Sequence, residues 1–343
     1  MFFYCNFTNN EFSWYKVRNM NNHWSEYWQQ GHTTSFGDAL VGNYEGILKS
    51  IWQPTFMALQ EGFTAVDIGT GNGSLPLLIR ESLSRTNIKG QVIGVDLAEV
   101  KLAEKDECEQ QNIKISLLSN EASESLPFAT ESVDLYTSQF GFEYSDVEQS
   151  IKEASRVLKE NGKFSLVFHH ANSMILNRNR NILQLIEQPQ AAELVSCLNE
   201  IAIAMGKVSS PGDIARIKQD VICERIRQKI NELIKSLVLL DEKATHDSQL
   251  MSFVAQFFKE GLFWPVEKKQ QFIEFIKLQM ETLKLRLTEL VKVSFDEEKL
   301  AQFIILFKKN SLSLNELKVL KNEQNEVLAW YLNAQKIPKE VEL

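Results

Sequence analysis

Cysteine is scarce in this chain. Cys5, Cys108, Cys197 and Cys223 stand far apart, with neither metal-ligand spacing nor the density of a disulfide framework. Reduced thiols in a cytoplasmic protein without a bound metal are the reading that follows. The opening residues, MFFYCNFTNNEFSW, hold no basic leader and no sustained apolar segment, so no secretory signal is expected there. No window approaches the ~20 apolar residues of a membrane-spanning helix. Basic charge is short as well: 37 Lys and Arg stand against 45 Asp and Glu, for a formal net charge of -8. That balance argues against a nucleic-acid partner, which normally meets a basic surface. Repeats and low-complexity tracts are also missing. What is present is ordinary globular material: 343 residues, 44% of them hydrophobic, enough for a real core in one large domain or two small ones.

The most telling stretch is AVDIGTGNGSLPL, residues 65–77. An apolar run ends in Asp67, and glycines follow at 69, 71 and 73 before an apolar pattern fit for a helix. A strand that turns through glycine into a helix is how doubly wound α/β proteins hold a nucleotide-like ligand. A Cβ at those positions would block the ligand from the backbone. The dinucleotide fingerprint places its third glycine one residue later than Gly73, which disfavours a nicotinamide-linked oxidoreductase.

Around this turn the pattern alternates. Residues 63–69, 91–96, 115–119, 132–140 and 163–170 read as strands, and the segments starting at Ser74, Glu99 (to Gln111) and Val147 (to Leu158) as helices. Asn161-Gly162 reads as the glycine stop of that last helix. Strand and helix in strict turn predict a parallel sheet covered on both faces. From Ala171 to about Val293 there is hardly a strand signal. Ile214, Ile217, Val221, Ile226, Ile230, Leu233 and Leu237 recur at helical spacing, and Pro and Gly breaks divide the segment into about four helices. Ser294 with Glu297 suggests a capping box that opens a helix through Phe307. Residues 314–320 and 327–334 then read as strands around a polar turn.

Asp96 ends the second strand, where an acidic side chain can accept both hydroxyls of a ribose, or can merely cap the next helix. His169 and His170 end the fifth strand, on the ligand side of such a sheet. One of them is a candidate general base; the competing reading is that the pair hydrogen-bonds a strand end.

The D-x-G-x-G-x-G turn resembles the first motif of the class I S-adenosylmethionine-dependent methyltransferases. NEASESLPFATESVDLY, residues 120–136, resembles the D-A-x-x-L-P-F segment of that family's ubiquinone-biosynthesis branch (the type 11 methyltransferase domain). Glu121 replaces the usual Asp, and one residue is added before Leu126. IKEASRVLKENGKFSLV resembles the family's R-V-L-K-x-x-G segment, in which Arg156 and Gly162 are structural, and LKVLKNEQNEVLAWYLNAQK resembles its closing antiparallel hairpin. The resemblance implies a Rossmann-like α/β fold with a seven-stranded sheet, five strands parallel, and a large all-helical insertion between strands five and six. The division expected is residues 1–62 as an aromatic-rich cap, 63–170 and 294–336 as the S-adenosylmethionine-binding domain, and 171–293 as the insertion.

By the same resemblance, Asp67, Gly69, Thr70, Gly71 and Gly73 shape the cofactor turn, Asp96 and Leu97 meet the ribose side, Glu121 and Ala122 the adenine, and Gln139 the methionine part. HWSEYWQQGHTTSFG, residues 23–37, looks like the segment that covers the cofactor, placing Tyr27 and Trp28 beside Phe140 and Tyr144 at the acceptor. The insertion either roofs a bulky acceptor pocket or makes a homodimer. The implied activity is methyl transfer from S-adenosylmethionine, leaving S-adenosylhomocysteine, to a small organic acceptor. No Asn-Pro-Pro-Tyr tetrad follows the fourth strand, which moves the reading away from nucleic-acid bases. The alternatives are a protein or RNA acceptor, or a catalytically inactive binding protein.

Overall fold

The computed structural model describes residues 23–36, 42–102 and 112–338. Helix α1 (His23–Gln29) and the short helices α2 (Ile47–Ser50) and α3 (Gln53–Met57) lead into β1 (Phe63–Ile68), α4 (Ser74–Leu83), β2 (Gly90–Asp96), β3 (Ile113–Ser119), β4 (Val133–Gln139), α5 (Val147–Val157) and β5 (Leu158–His169). A helical block follows: α6 (Met174–Ile186), α7 (Pro189–Met205), α8 (Pro211–Gln219), α9 (Val221–Leu240), α10 (Glu242–Asp247), α11 (Leu250–Lys259) and α12 (Val266–Val293). The chain then returns to the sheet with α13 (Glu297–Lys309), β6 (Leu312–Lys321) and β7 (Val327–Lys336).

The seven strands lie in the order β3-β2-β1-β4-β5-β7-β6. β1 pairs in parallel with both β2 and β4, whereas β7 runs antiparallel to β5 and β6. The chain moves outward from β1 to β3 and then jumps back to β4. The order therefore reverses between β1 and β4, and a ligand crevice opens where their carboxyl ends part.

Strand alternation sends neighbouring residues to opposite faces. Phe164, Leu166 and Phe168 of β5 join Phe303 and Phe307 of α13 and Ile151 of α5 on one face. Val167, between them, joins Leu75 and Leu78 of α4 and Trp52 and Phe56 on the other. The helical block has a core of its own, built from α6, α7, α9, α11 and α12 around residues such as Leu194, Leu237, Phe257 and Ile276. It meets the sheet through a short parallel bridge, His170 to Phe295, and through α12, which reaches back to α1.

Three local expectations are corrected. The block holds seven α-helices among the described residues, not about four. Asp220 and Asp241 each stop one helix and start the next, their carboxylates accepting from Cys223 N and Ala244 N, so helices change without proline or glycine. The cap of α13 is Asp296, which accepts from Lys299 N at 2.8 Å, while the Ser294 hydroxyl donates back to Val291 O. Helix α5 ends at Val157 and the chain extends at Leu158, so Asn161, at φ 62°, and Gly162 turn the chain within the start of β5. Of the helix expected over 99–111, residues 99–102 are irregular and 103–111 lie outside the described residues, as do Cys5 and Cys108.

Candidate active site

The loops after β1 and β4 are built to touch. Gly69 has φ 62°, and a Cβ there would sit 2.6 Å from Gly141 Cα, so both positions need glycine. The Ser138 hydroxyl ties the two strand ends, donating to Ile68 O at 2.6 Å and accepting from Phe142 N at 2.9 Å. Phe140, between them, holds a positive φ of 61° although it is bulky, a conformation kept only where the surroundings enforce it. Its amide donates to Val167 O at 2.8 Å.

Asp67 lies under the turn and is only 2% exposed. Its carboxylate accepts from the Thr137 hydroxyl at 3.3 Å. Burial pushes it up from the usual carboxylate range to about 7, against the pull of the Thr70 and Thr137 hydroxyls, with the nearby Asp96 charge adding to the rise. The Thr70 side chain turns inward here: a Cβ on Gly94 would lie 2.5 Å from its hydroxyl. Asp96 accepts from Gly71 N and Ala98 N, both at 2.8 Å, one on each oxygen. It thus fixes the glycine turn and the turn after β2 together. A carboxylate has about four acceptor positions, which leaves room for a diol. Glu121 sits against it, its amide donating to Asp96 O at 3.1 Å, with Ala122 next in the chain. Leu97, by contrast, projects into solvent at 71% exposure. Gly73 starts α4 from a left-handed conformation.

The N-terminal segment covers this turn. The Trp28 indole occupies the space over Gly71, 2.6 Å from where a Cβ would be. Asn72 fastens it, donating to Trp28 O (2.9 Å) and His32 O (2.8 Å) and accepting from Lys101 N (3.0 Å). Tyr27 donates to Thr34 O at 2.8 Å. Gln139, at the end of β4, accepts from Trp52 Nε1 at 2.6 Å, and its Nε2 is buried without a hydrogen-bond partner.

The two histidines part company. His169 is 4% exposed; its Nδ1 lies 2.7 Å from Glu143 Oε1, which also accepts its backbone N–H at 2.9 Å. A carboxylate can only accept, so Nδ1 carries a proton toward Glu143. The ring lies 4.4 Å from Phe140 and 6.3 Å from Tyr144, whose phenol burial pushes well above its ordinary range. His170 stacks on Trp330 at 4.3 Å and accepts from Asn172 N through Nδ1, and burial lowers its proton affinity.

The roof comes from the far end of the chain. Glu289 of α12 holds His23 Nε2 at 2.8 Å and Trp24 Nε1 at 3.1 Å. Trp24 meets Tyr144 edge-on at 5.5 Å, and the Arg286 guanidinium lies 4.4 Å over the Tyr27 ring. The predicted cofactor residues, apart from Leu97, thus gather at the β1/β4 crevice, with Tyr27, Trp28, Phe140, Tyr144 and His169 around it. Asn72, Glu143, Arg286 and Glu289 were not anticipated. Asn72 stands inside the glycine turn already singled out and Glu143 next to Tyr144, but neither residue type marks a lid anchor or a histidine partner by itself.

The strand order, the glycine turn and an acidic residue closing β2 define a Rossmann-like α/β domain. Residues 66–166 match the methyltransferase domain model. The chain is 31% identical over 130 residues to YcgJ, an uncharacterized methyltransferase of Bacillus subtilis, covering 36% of this chain and 48% of that protein. It is 30% identical over 105 residues to the ubiquinone/menaquinone biosynthesis C-methyltransferase UbiE of Rickettsia bellii, covering 29% and 41%. The chain spans less than half the length of both relatives. A solved S-adenosylmethionine-dependent methyltransferase of Methanosarcina mazei aligns with 87% of this chain and all of its own at 15% identity and a TM-score of 0.40. The crevice fits the family's cofactor: Asp96 keeps acceptor capacity for a ribose, and the orphaned Gln139 Nε2 is a donor in want of a partner. Among the described residues, no helix is long and apolar enough to cross a membrane.

Proposed function

We propose that this protein transfers the methyl group of S-adenosylmethionine to a small organic acceptor, with His169 as the general base. The observation that carries the reading is the buried His169–Glu143 pair, 2.7 Å apart, set beside the β1/β4 crevice. The cofactor supplies an electrophilic sulfonium methyl. The protein supplies position: Asp96 takes the ribose, Glu121 and Ala122 flank the adenine, and Gln139 offers its free amide to the methionine part. Phe140, Tyr144, Tyr27 and Trp28 wall the acceptor and exclude water, which sharpens an in-line displacement. Glu143 holds the Nδ1 proton, so His169 Nε2 would take the proton from an acceptor hydroxyl or ammonium and leave that atom a lone pair for the methyl group that the bound cofactor would supply. Of residues 1–62, the described parts 23–36 and 42–62 act as the cap, residues 1–22 and 37–41 lying outside the described residues, and residues 171–293 act as a lid that ends in the α12 roof.

Calorimetric titration with S-adenosylmethionine, S-adenosylhomocysteine and NAD tests the cofactor. Micromolar binding of the first two, lost in Asp96→Ala and absent for NAD, supports the reading; no binding of either adenosyl compound refutes it. Acceptors are then screened with labelled S-adenosylmethionine. His169→Asn lowers kcat by about 10²- to 10⁴-fold with S-adenosylhomocysteine affinity retained, and an unchanged kcat removes His169 from the chemistry.

A further inference from the structure

Among the described residues, no carboxylate pairs with Arg286, a cation of the roof. Arg286 lies on α12, the helix that packs on the turn carrying Glu143 and Tyr144. Its guanidinium lies 4.4 Å over the Tyr27 ring and 6.0 Å from that of Trp24. Its Nε is buried without a hydrogen-bond partner. Burial lowers its proton affinity, and the groups that oppose this are the phenols of Tyr27 and Tyr144, not a carboxylate. An arginine keeps its charge under such conditions, and the Tyr27 ring is what the structure sets against it.

The neighbouring carboxylates are engaged elsewhere. Glu289, one turn away, serves His23 and Trp24. Glu143 gives its Oε1 to His169 while its Oε2 is buried without a hydrogen-bond partner, and Glu26 faces the Thr282 hydroxyl at 3.5 Å. The aromatic chain Tyr27–Trp24–Tyr144–His169 links the guanidinium to the base, with ring separations of 5.8, 5.5 and 6.3 Å. A half-buried guanidinium over an aromatic ring, with its Nε lacking a hydrogen-bond partner, keeps N–H donors for an anion.

We infer that Arg286 anchors a carboxylate of the acceptor, so that the substrate is an organic acid with a flat, apolar body. The inference rests on the crevice being the methyl-transfer site. One cation balances one negative charge; a phosphate dianion would bring a second charge into the same low-dielectric space with no second cation to meet it. Tyr27, Trp24 and Tyr144 offer ring faces and edges to the body of the acid. The carboxylate is the handle, and the atom that accepts the methyl group faces His169.

The test is a set of calorimetric titrations of the full chain with matched probes: benzoate and naphthoate, their carboxamides, and phenyl phosphate, each with and without S-adenosylhomocysteine. The acids are expected to bind about 10- to 100-fold tighter than their amides. Arg286→Met should abolish that preference while S-adenosylhomocysteine still binds, which also shows that the variant is folded. Arg286→Lys should restore part of it, because charge returns without the planar fork. Equal or absent binding of acid and amide, a preference untouched by Arg286→Met, or tighter binding of phenyl phosphate overturns the inference. Its failure is separable from that of the methyltransferase reading. S-adenosylhomocysteine binding without acid preference removes the anchor alone, whereas acid preference without S-adenosylhomocysteine binding keeps the anchor and removes the methyl donor.

Discussion

Asp67 carries a measurable pH signature. An aspartate in an unfolded chain titrates near 3.9, whereas burial under the glycine turn moves Asp67 to about 7. Between those values the native state holds a proton that the unfolded state has released. Stability therefore falls as pH rises through this window, is fully retained below about 4, and loses nothing further well above about 7. A shift of about 3 units corresponds to about 4 kcal/mol at 1.36 kcal/mol per unit. Asp67→Asn keeps an oxygen to accept from Thr137 but cannot titrate. The difference in unfolding free energy, variant minus wild type, should rise by about 1.4 kcal/mol per pH unit between pH 4 and 7 and then level. Urea denaturation followed by tryptophan fluorescence at pH 4, 5, 6, 7 and 8 reads this directly. Two denaturation series that stay parallel across that range would refute the assignment of a buried, protonated Asp67.

Two further outcomes follow from packing and fastening. Phe303 is 2% exposed and touches Phe142, Phe168, Phe295 and Phe307, so Phe303→Ala should cost about 3–5 kcal/mol, seen as a lower urea midpoint with an unchanged slope. Asn72→Ala removes two donors from Trp28 O and His32 O; hydrogen exchange should quicken over residues 23–36 while β1, β4 and β5 stay protected, and uniform protection would show that Asn72 does not hold the cap.

How much of this was legible in the sequence depends on how local each cause is. The glycine turn, the strands and Asp96 were readable because backbone sterics and period-2 alternation act within a few residues. Boundaries failed where a side chain did the work of a helix breaker: Asp220, Asp241 and Asp296 each accept from an amide three residues on, and no glycine or proline advertises them. His169 and His170 looked alike in the chain, and only the alternation of faces at the end of β5 sends one to Glu143 and the other to Trp330. Arg286 and Glu289 were invisible as site residues, because their place over Tyr27 and Trp24 depends on the docking of a helix remote in sequence.

That docking has a consequence for synthesis. His23 and Glu289 stand 266 positions apart, so the hydrogen bond between them closes one of the longest loops in the chain. At roughly 5–20 residues per second, α1 waits for some tens of seconds on the ribosome before α12 exists to receive it. The glycine turn and β1 to β5 are complete well before then. For that interval the nascent protein has a floor and no ceiling. A chain broken off before α12 would keep its turn and its histidine yet never gain Arg286. The roof thus waits on the synthesis of α12, with α13, β6 and β7 still to follow.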